Sequence, residues 1–223
     1  MTTIACYNFN NVLEGATVYD DVGAHNGSVV GSVPIAAGPI SQKARTFSGS
    51  DSNYISIPSH ADFTATVAKT FEVWFNVDTA VSTSYRVIMW DWNGSSKYRM
   101  TLYLKHDDAT QLRTYMSDGS NVVDFYSPTG LIVVGSLYYA AVTWNPTTKT
   151  AQLFVNGVCL GESTNASIVP ANMDHGNDLL VGAAPGVGIP WRGKIHALRW
   201  SNVVKTPKQI YDTYMAANVQ ESS

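Results

Sequence analysis

The chain has 223 residues, 45% of them hydrophobic and only 14% charged, with a formal net charge of −3. That composition supplies a full core and argues against both disorder and a charged helical bundle. The 14 Lys and Arg are scattered, which leaves no basic footprint for nucleic acid, and no stretch reaches the ~18 apolar residues of a membrane span.

Strand signals recur along the chain. Ile4 to Phe9 reads as a first strand, followed by a polar loop with Asp20, Asp21, Gly23, His25 and Asn26, then a second strand near Ser28 to Val33. Ala44 to Phe47 and Tyr54 to Ile57 flank a turn containing Asp51 and Asn53. From Phe71 to Val77 the pattern alternates. Phe71, Val73, Phe75 and Val77 point one way, and Glu72, Trp74 and Asn76 point to a more polar second face. Strands are also expected at Val87 to Trp90, Gln111 to Met116, Val122 to Tyr126 and Tyr138 to Trp144. Another covers Tyr98 to Leu104, with Tyr98, Met100, Leu102 and Leu104 on one face. Asn156-Gly157, between Gln152–Val155 and Val158–Leu160, predicts a two-residue hairpin, because both residues accept the positive φ of a type I′ turn. Leu179 to Gly182 and Lys194 to Trp200 complete the strands. One helix is predicted after Thr206, which offers a capping hydroxyl, with Pro207 at the first helical position and Gln209 three residues past the cap. Ile210 and Tyr214 share its apolar face. Together these elements predict one all-β domain over 1–223, an antiparallel two-sheet jelly-roll β-sandwich with a short C-terminal helix.

Two blocks then resemble the laminin-G-like branch of the concanavalin-A-like lectin/glucanase family. The first runs from Tyr7-Asn-Phe9 through Val18-Tyr-Asp20, Gly23, Asn26 and Gly27 to Phe47-Ser-Gly49, Tyr54-Ile-Ser-Ile57 and Phe71-Glu-Val-Trp-Phe75. The second is Val142-Thr-Trp144, Leu153-Phe-Val-Asn-Gly157, Leu180-Val-Gly182 and Gly193-Lys-Ile195. The resemblance covers nearly the whole chain and implies the same sandwich. It departs from the family pattern at His196, where Asp is common. For function it is broad, since lectins, glycosidases, adhesion modules and structural proteins share this fold.

Catalysis is disfavoured. Glycosidases on such folds need two carboxylates converging on the sugar bond. The chain has four Glu, at 14, 72, 162 and 221, no two of which share a strand, so Glu72 reads as a hydrogen-bonded structural group. Asp107-Asp108 reads as a turn, and His196 as a satisfied strand residue. No Cys or His pair has zinc spacing. Oxygen ligands of the kind calcium takes are offered by Asp20, Asp21 and Asn26, by Asp51 and Asn53, and by Asp174, Asn177 and Asp178, although turns use the same residues. Trp90-Asp91-Trp92-Asn93-Gly94 is the foremost ligand-binding segment. Trp90 suits the core and Trp92, beside Asn-Gly, suits an exposed position, with Tyr103 and Tyr115 expected on the same sheet. Trp144, Trp191 and Trp200 fit core packing, and Cys6 and Cys159 fit two buried free thiols, with one disulfide left open.

Met1 leads almost directly into the first strand with neither a basic nor an apolar leader region, so the chain reads as complete and not exported by an ordinary signal. A family that faces the outside, on a chain without a leader, points first to a non-catalytic assembly module on a phage or virus particle. Its partners would be other protein subunits, with cell-surface glycans as a further ligand. A free carbohydrate-binding module is the second reading, and a hydrolase or lyase the last.

Overall fold

The computed structural model describes residues 2–9, 15–23, 25–38, 42–79, 85–105 and 110–219. The expected Asp107-Asp108 turn, Glu14 and Glu221 lie outside them. Two eight-stranded sheets pack face to face, and every strand pairing is antiparallel. The first sheet holds β1 (Thr3–Tyr7), β4 (Ile35–Gly38), β5 (Gln42–Ser48), β7 (Lys69–Val77), β12 (Leu137–Asn145), β13 (Thr150–Val155), β14 (Val158–Thr164) and β16 (Arg192–Ser201). The second holds β2 (Thr17–Val18), β3 (Gly27–Val30), β6 (Tyr54–Ile57), β8 (Arg86–Trp90), β9 (Lys97–Leu104), β10 (Leu112–Asp118), β11 (Val122–Tyr126) and β15 (Leu179–Val181). The short strands β2 and β4 and a one-turn helix α1 (Pro170–Met173) carry no clear periodicity and were not expected from the sequence.

Phe71, Val73, Phe75 and Val77 enter the main core with Trp144, Trp191 and Trp200, as their alternation requires. Each such side chain contributes about 1.5–3 kcal/mol by leaving water. Asn156 and Gly157 adopt φ of 49° and 80°, the type I′ pair that joins β13 to β14. Gly182 has a φ of +89°, and a Cβ there would lie 2.1 Å from the Phe47 ring, so the two sheets approach through a glycine.

Three expectations need correction. The second face of β7 is not a polar surface, because Trp74 packs with Tyr139, Phe154 and Ile210 beneath the C-terminal helix α2 (Pro207–Val219). That helix begins as predicted: the Gln209 amide donates to Thr206 Oγ1, and the Thr206 amide donates to Gln209 Oε1. Second, a register shift where β9 meets β10, between the Thr101–Tyr115 and Tyr98–Ser117 pairs, carries Tyr98 away from Met100, Leu102 and Leu104, which stay in the core, to the outer face of the sheet. Third, of the two free thiols only Cys6 is buried. Cys159, at the start of the outermost strand β14, is exposed.

Candidate functional site

The outer face of the first sheet is covered by α2, whereas that of the second sheet carries a separate aromatic cluster. Antiparallel register builds it. Tyr103 on β9, Arg113 on β10 and Tyr126 on β11 are direct cross-strand partners, and Thr101, Tyr115 and Asp124 form the neighbouring row. Arg113 grips Asp124 through two hydrogen bonds of 2.7 and 2.6 Å. Its guanidinium also lies over the Tyr103, Tyr115 and Tyr126 rings at 5.4, 4.8 and 4.6 Å. Burial works against the charge on Arg113, but Asp124 and the surrounding tyrosines outweigh it and hold the group cationic.

Trp92 follows β8 and is placed by its loop. Asn93 Oδ1 accepts from the amides of Ser95 and Lys97, and the Trp92 indole N–H donates to the Ser95 carbonyl at 3.0 Å. The half-buried Trp92 ring lies nearly parallel to Tyr98, with 6.1 Å between centroids and 16° between planes. Tyr98 in turn meets Tyr115 edge-on at 5.1 Å. Trp90 is almost buried between them and Tyr103, and its indole N–H has no partner among the described residues.

Trp90 lines two adjoining grooves. One, of about 450 Å³, runs past Tyr54, Ser56, Trp92, Asn177 and Asp178. The other, of about 260 Å³, lies among Tyr85, Tyr98, Tyr103, Arg113 and Tyr115. The polar wall of the first groove is tied down from below. Arg99, 1% exposed, reaches the Asp91 carboxylate through Nε and Nη2 at 2.9 Å and also donates to the carbonyls of His175 and Asn177. Asn177 Nδ2 donates to the Trp92 carbonyl, and Asp178 accepts from Ser56 Oγ at 2.6 Å. Ring faces edged by amide, carboxylate and guanidinium groups suit a ligand with apolar faces and a hydroxylated rim.

The fold thus brings Trp90, Trp92, Tyr103 and Tyr115 together on one face. Tyr98, Arg113 and Asp124 were missed. The bulge that turns Tyr98 outward has no local signature, but Arg113-x-Tyr115 on an alternating strand was a usable signal for a shared face.

The oxygen-rich turns do not converge. Asp20 and Asn26 lie at the Ser28–Ser56 end of the β3–β6 pair, whereas Asp51 and Asn53 follow the Val30–Tyr54 end. Asp20 accepts from the amides of Cys6, Val22 and His25, Asn26 Oδ1 from the Asp20 amide, and Asp51 from the Gly188 amide. Asp20, Asn26 and Asp51 therefore all serve as acceptors for backbone amides, Asp20 reaching back to β1 and Asp51 across to the Gly188 loop. Asp174 likewise accepts from the Ala65 amide at 2.5 Å.

Glu72 is fully buried under α2, where Lys205 Nζ and the Tyr139 hydroxyl bond its two oxygens at 2.5 and 2.7 Å. It is a structural ion pair and faces no cleft. His196 is buried beside Asn76, and burial lowers its pKa to about 4, so its ring is neutral at pH 7.

A family model described as the Concanavalin A-like lectin/glucanases superfamily matches residues 48–211, and the chain belongs to that superfamily. No curated protein matches it in sequence. Among solved structures, the binding domain of Paraclostridial Mosquitocidal Protein 1 is similar with a TM-score of 0.79 and 12% identity over 96% of this chain. This chain spans 52% of that domain. Domain 4 of AbnA, a GH43 extracellular arabinanase from Geobacillus stearothermophilus solved with arabinotriose, gives a TM-score of 0.68 and 19% identity, covering 95% of this chain and 97% of the other. The CBM40 module of the Ruminococcus gnavus IT-sialidase, bound to α2,3 sialyllactose, gives 0.55 and 14%, covering 66% and 83%. At these identities the likeness is one of fold.

Proposed function

We propose that the chain is a non-catalytic carbohydrate-binding module whose ligand lies along the two grooves on the outer face of the second sheet. The observation that carries this reading is the Trp92–Tyr98 platform. It holds ring faces partly open to solvent, directly beside the Asn177 and Asp178 rim and the Arg113–Asp124 pair. Two solved domains of the same fold hold oligosaccharides, which supports the reading by analogy. The burial of Glu72 in an ion pair supports a binding role over a hydrolytic one.

The test is a glycan array followed by calorimetry on the best ligand. Trp92→Ala removes roughly 50 Å² of stacking surface, worth about 1.3 kcal/mol or tenfold in Kd at ~25 cal/mol per Å². The fold should survive, because Trp92 is only half buried. Failure to bind any glycan saturably, or binding that persists in Trp92→Ala, would overturn the proposal.

The groove moves the glycan-binding reading ahead of the virion-assembly role, which rests on the sequence argument alone. Mass in solution separates the two, and a stable monomer would set the assembly role aside. Either role would place the protein outside a cell or on a particle surface. No helix among the described residues is long and apolar enough to cross a membrane.

A further inference from the structure

A second site lies in the loops that leave the β3–β6 pair. His25 precedes β3, and His60 and Asp62 follow β6 at the short 3-10 turn Ala61–Phe63. Because β3 and β6 are antiparallel, with Ser28 opposite Ser56, these two segments meet at one end of the sheet. His25 Nε2 lies 3.2 Å from His60 Nδ1 and 3.1 Å from Asp62 Oδ2, and the last two atoms are 3.1 Å apart. A tetrahedral ion with bonds of ~2.0–2.1 Å requires its ligand atoms to be about 3.3 Å apart, close to this triangle.

The protonation pattern points the same way. The His25 ring faces the buried Asp20 carboxylate through Nδ1 at 3.3 Å, and a proton on Nδ1 leaves a lone pair on Nε2. His60 Nδ1 has one lone pair, which accepts from the Asp62 amide at 3.2 Å, so a metal there would replace that exposed capping bond, and the Asp62 carboxylate is an acceptor. The His25 Nε2 and Asp62 Oδ2 lone pairs thus face one point beside His60 Nδ1, and a cation there gains the third ligand by displacing the exposed Asp62 amide. The ring is held in place by its neighbours. Tyr7 donates to the His25 carbonyl at 2.5 Å, Phe63 packs against the imidazole at 5.1 Å, and a Cβ on Gly23 would come within 2.9 Å of Asp20. His60 and Asp62 are about half exposed, which leaves the remaining coordination position open to solvent.

We infer that His25, His60 and Asp62 form a site for a zinc-like divalent transition metal, with Asp20 positioning His25. Two imidazoles and one carboxylate select against calcium, which takes oxygen ligands. The site is independent of the glycan reading. It escaped sequence inspection because its two histidines are 35 residues apart and only strand pairing joins them.

The full chain, stripped with chelator, is titrated with Zn²⁺ by calorimetry and with Co²⁺ by visible absorption. The expected result is one saturable site per chain, a Co²⁺ spectrum of low-symmetry N/O coordination, and a Zn²⁺-dependent rise in Tm. His60→Ala and Asp62→Asn, at exposed positions that leave the fold intact, should abolish all three signals. Asp20→Asn should weaken Zn²⁺ by about 10–100-fold. Lack of saturable uptake of either ion by the wild-type chain would overturn the inference. So would uptake that is unchanged in both His60→Ala and Asp62→Asn, and the alternative would then be a His25 imidazolium held between two carboxylates.

Discussion

Replacing Arg99 with Met probes the link between the interior and the groove. Arg99 and Asp91 are both essentially buried, at 1% and 2% exposure. Removing the guanidinium leaves the Asp91 carboxylate without its bidentate partner and the His175 and Asn177 carbonyls without a donor. Breaking a buried pair on one side costs about 3–5 kcal/mol, because the surviving charge cannot return to water. For a chain of this size each kcal/mol moves Tm by about 2–4 °C, so a fall of roughly 10 °C is expected. Burial raises the Asp91 pKa and Arg99 opposes that rise, so in the variant the carboxyl is pushed further up. A raised carboxyl pKa stabilises the fold at low pH and loses that stability as pH rises through the folded value. The deficit relative to wild type should therefore be smaller at pH 5 than at pH 7. Urea denaturation followed by tryptophan fluorescence measures both quantities. The double variant Arg99→Met/Asp91→Leu removes the orphaned charge and should recover about half of the loss. A single-variant loss under about 1 kcal/mol, or a double variant no more stable than the single, would refute the reasoning. The same lesion frees the loop that carries Asn177 and Asp178, so glycan affinity should fall with it.

Two further outcomes are expected. The folded-state pKa of His196 is about 4 against 6.5 unfolded, so below pH 6.5 the unfolded chain takes up a proton that the folded chain refuses, and stability is lost as pH falls toward 4. Between pH 7 and 4.5 this amounts to about 2 kcal/mol, and His196→Gln should flatten the urea-derived pH profile by that amount. Cys159 is exposed, and Cys6 is buried with its thiol pKa raised by that burial. An aromatic disulfide reagent should therefore titrate one thiol in the native protein and two in denaturant, and two fast native thiols would contradict the burial of Cys6.

Local pattern was enough to read most of the framework. Alternation from Phe71 to Val77 marks a core strand because side chains on a strand alternate faces, and Asn156-Gly157 marks a hairpin because few other pairs tolerate its φ angles. The Thr206–Gln209 capping box announces α2 for the same local reason. What α2 covers was not legible. Trp74 looked like part of a polar face until the helix, more than 130 residues later, folded over it. The sites depend still more on tertiary structure. Trp90 and Trp92 stood out as a pair of aromatics beside a turn, but Tyr98 reaches them only through a register shift, and Arg113 meets Tyr103 and Tyr126 only across strands. His25 and His60 share a point in space because β3 pairs with β6, not because of any spacing in the chain. Periodicity records which face a residue occupies. It does not record which strands become neighbours, and that pairing, set by the packing of both sheets, decides which side chains can act together.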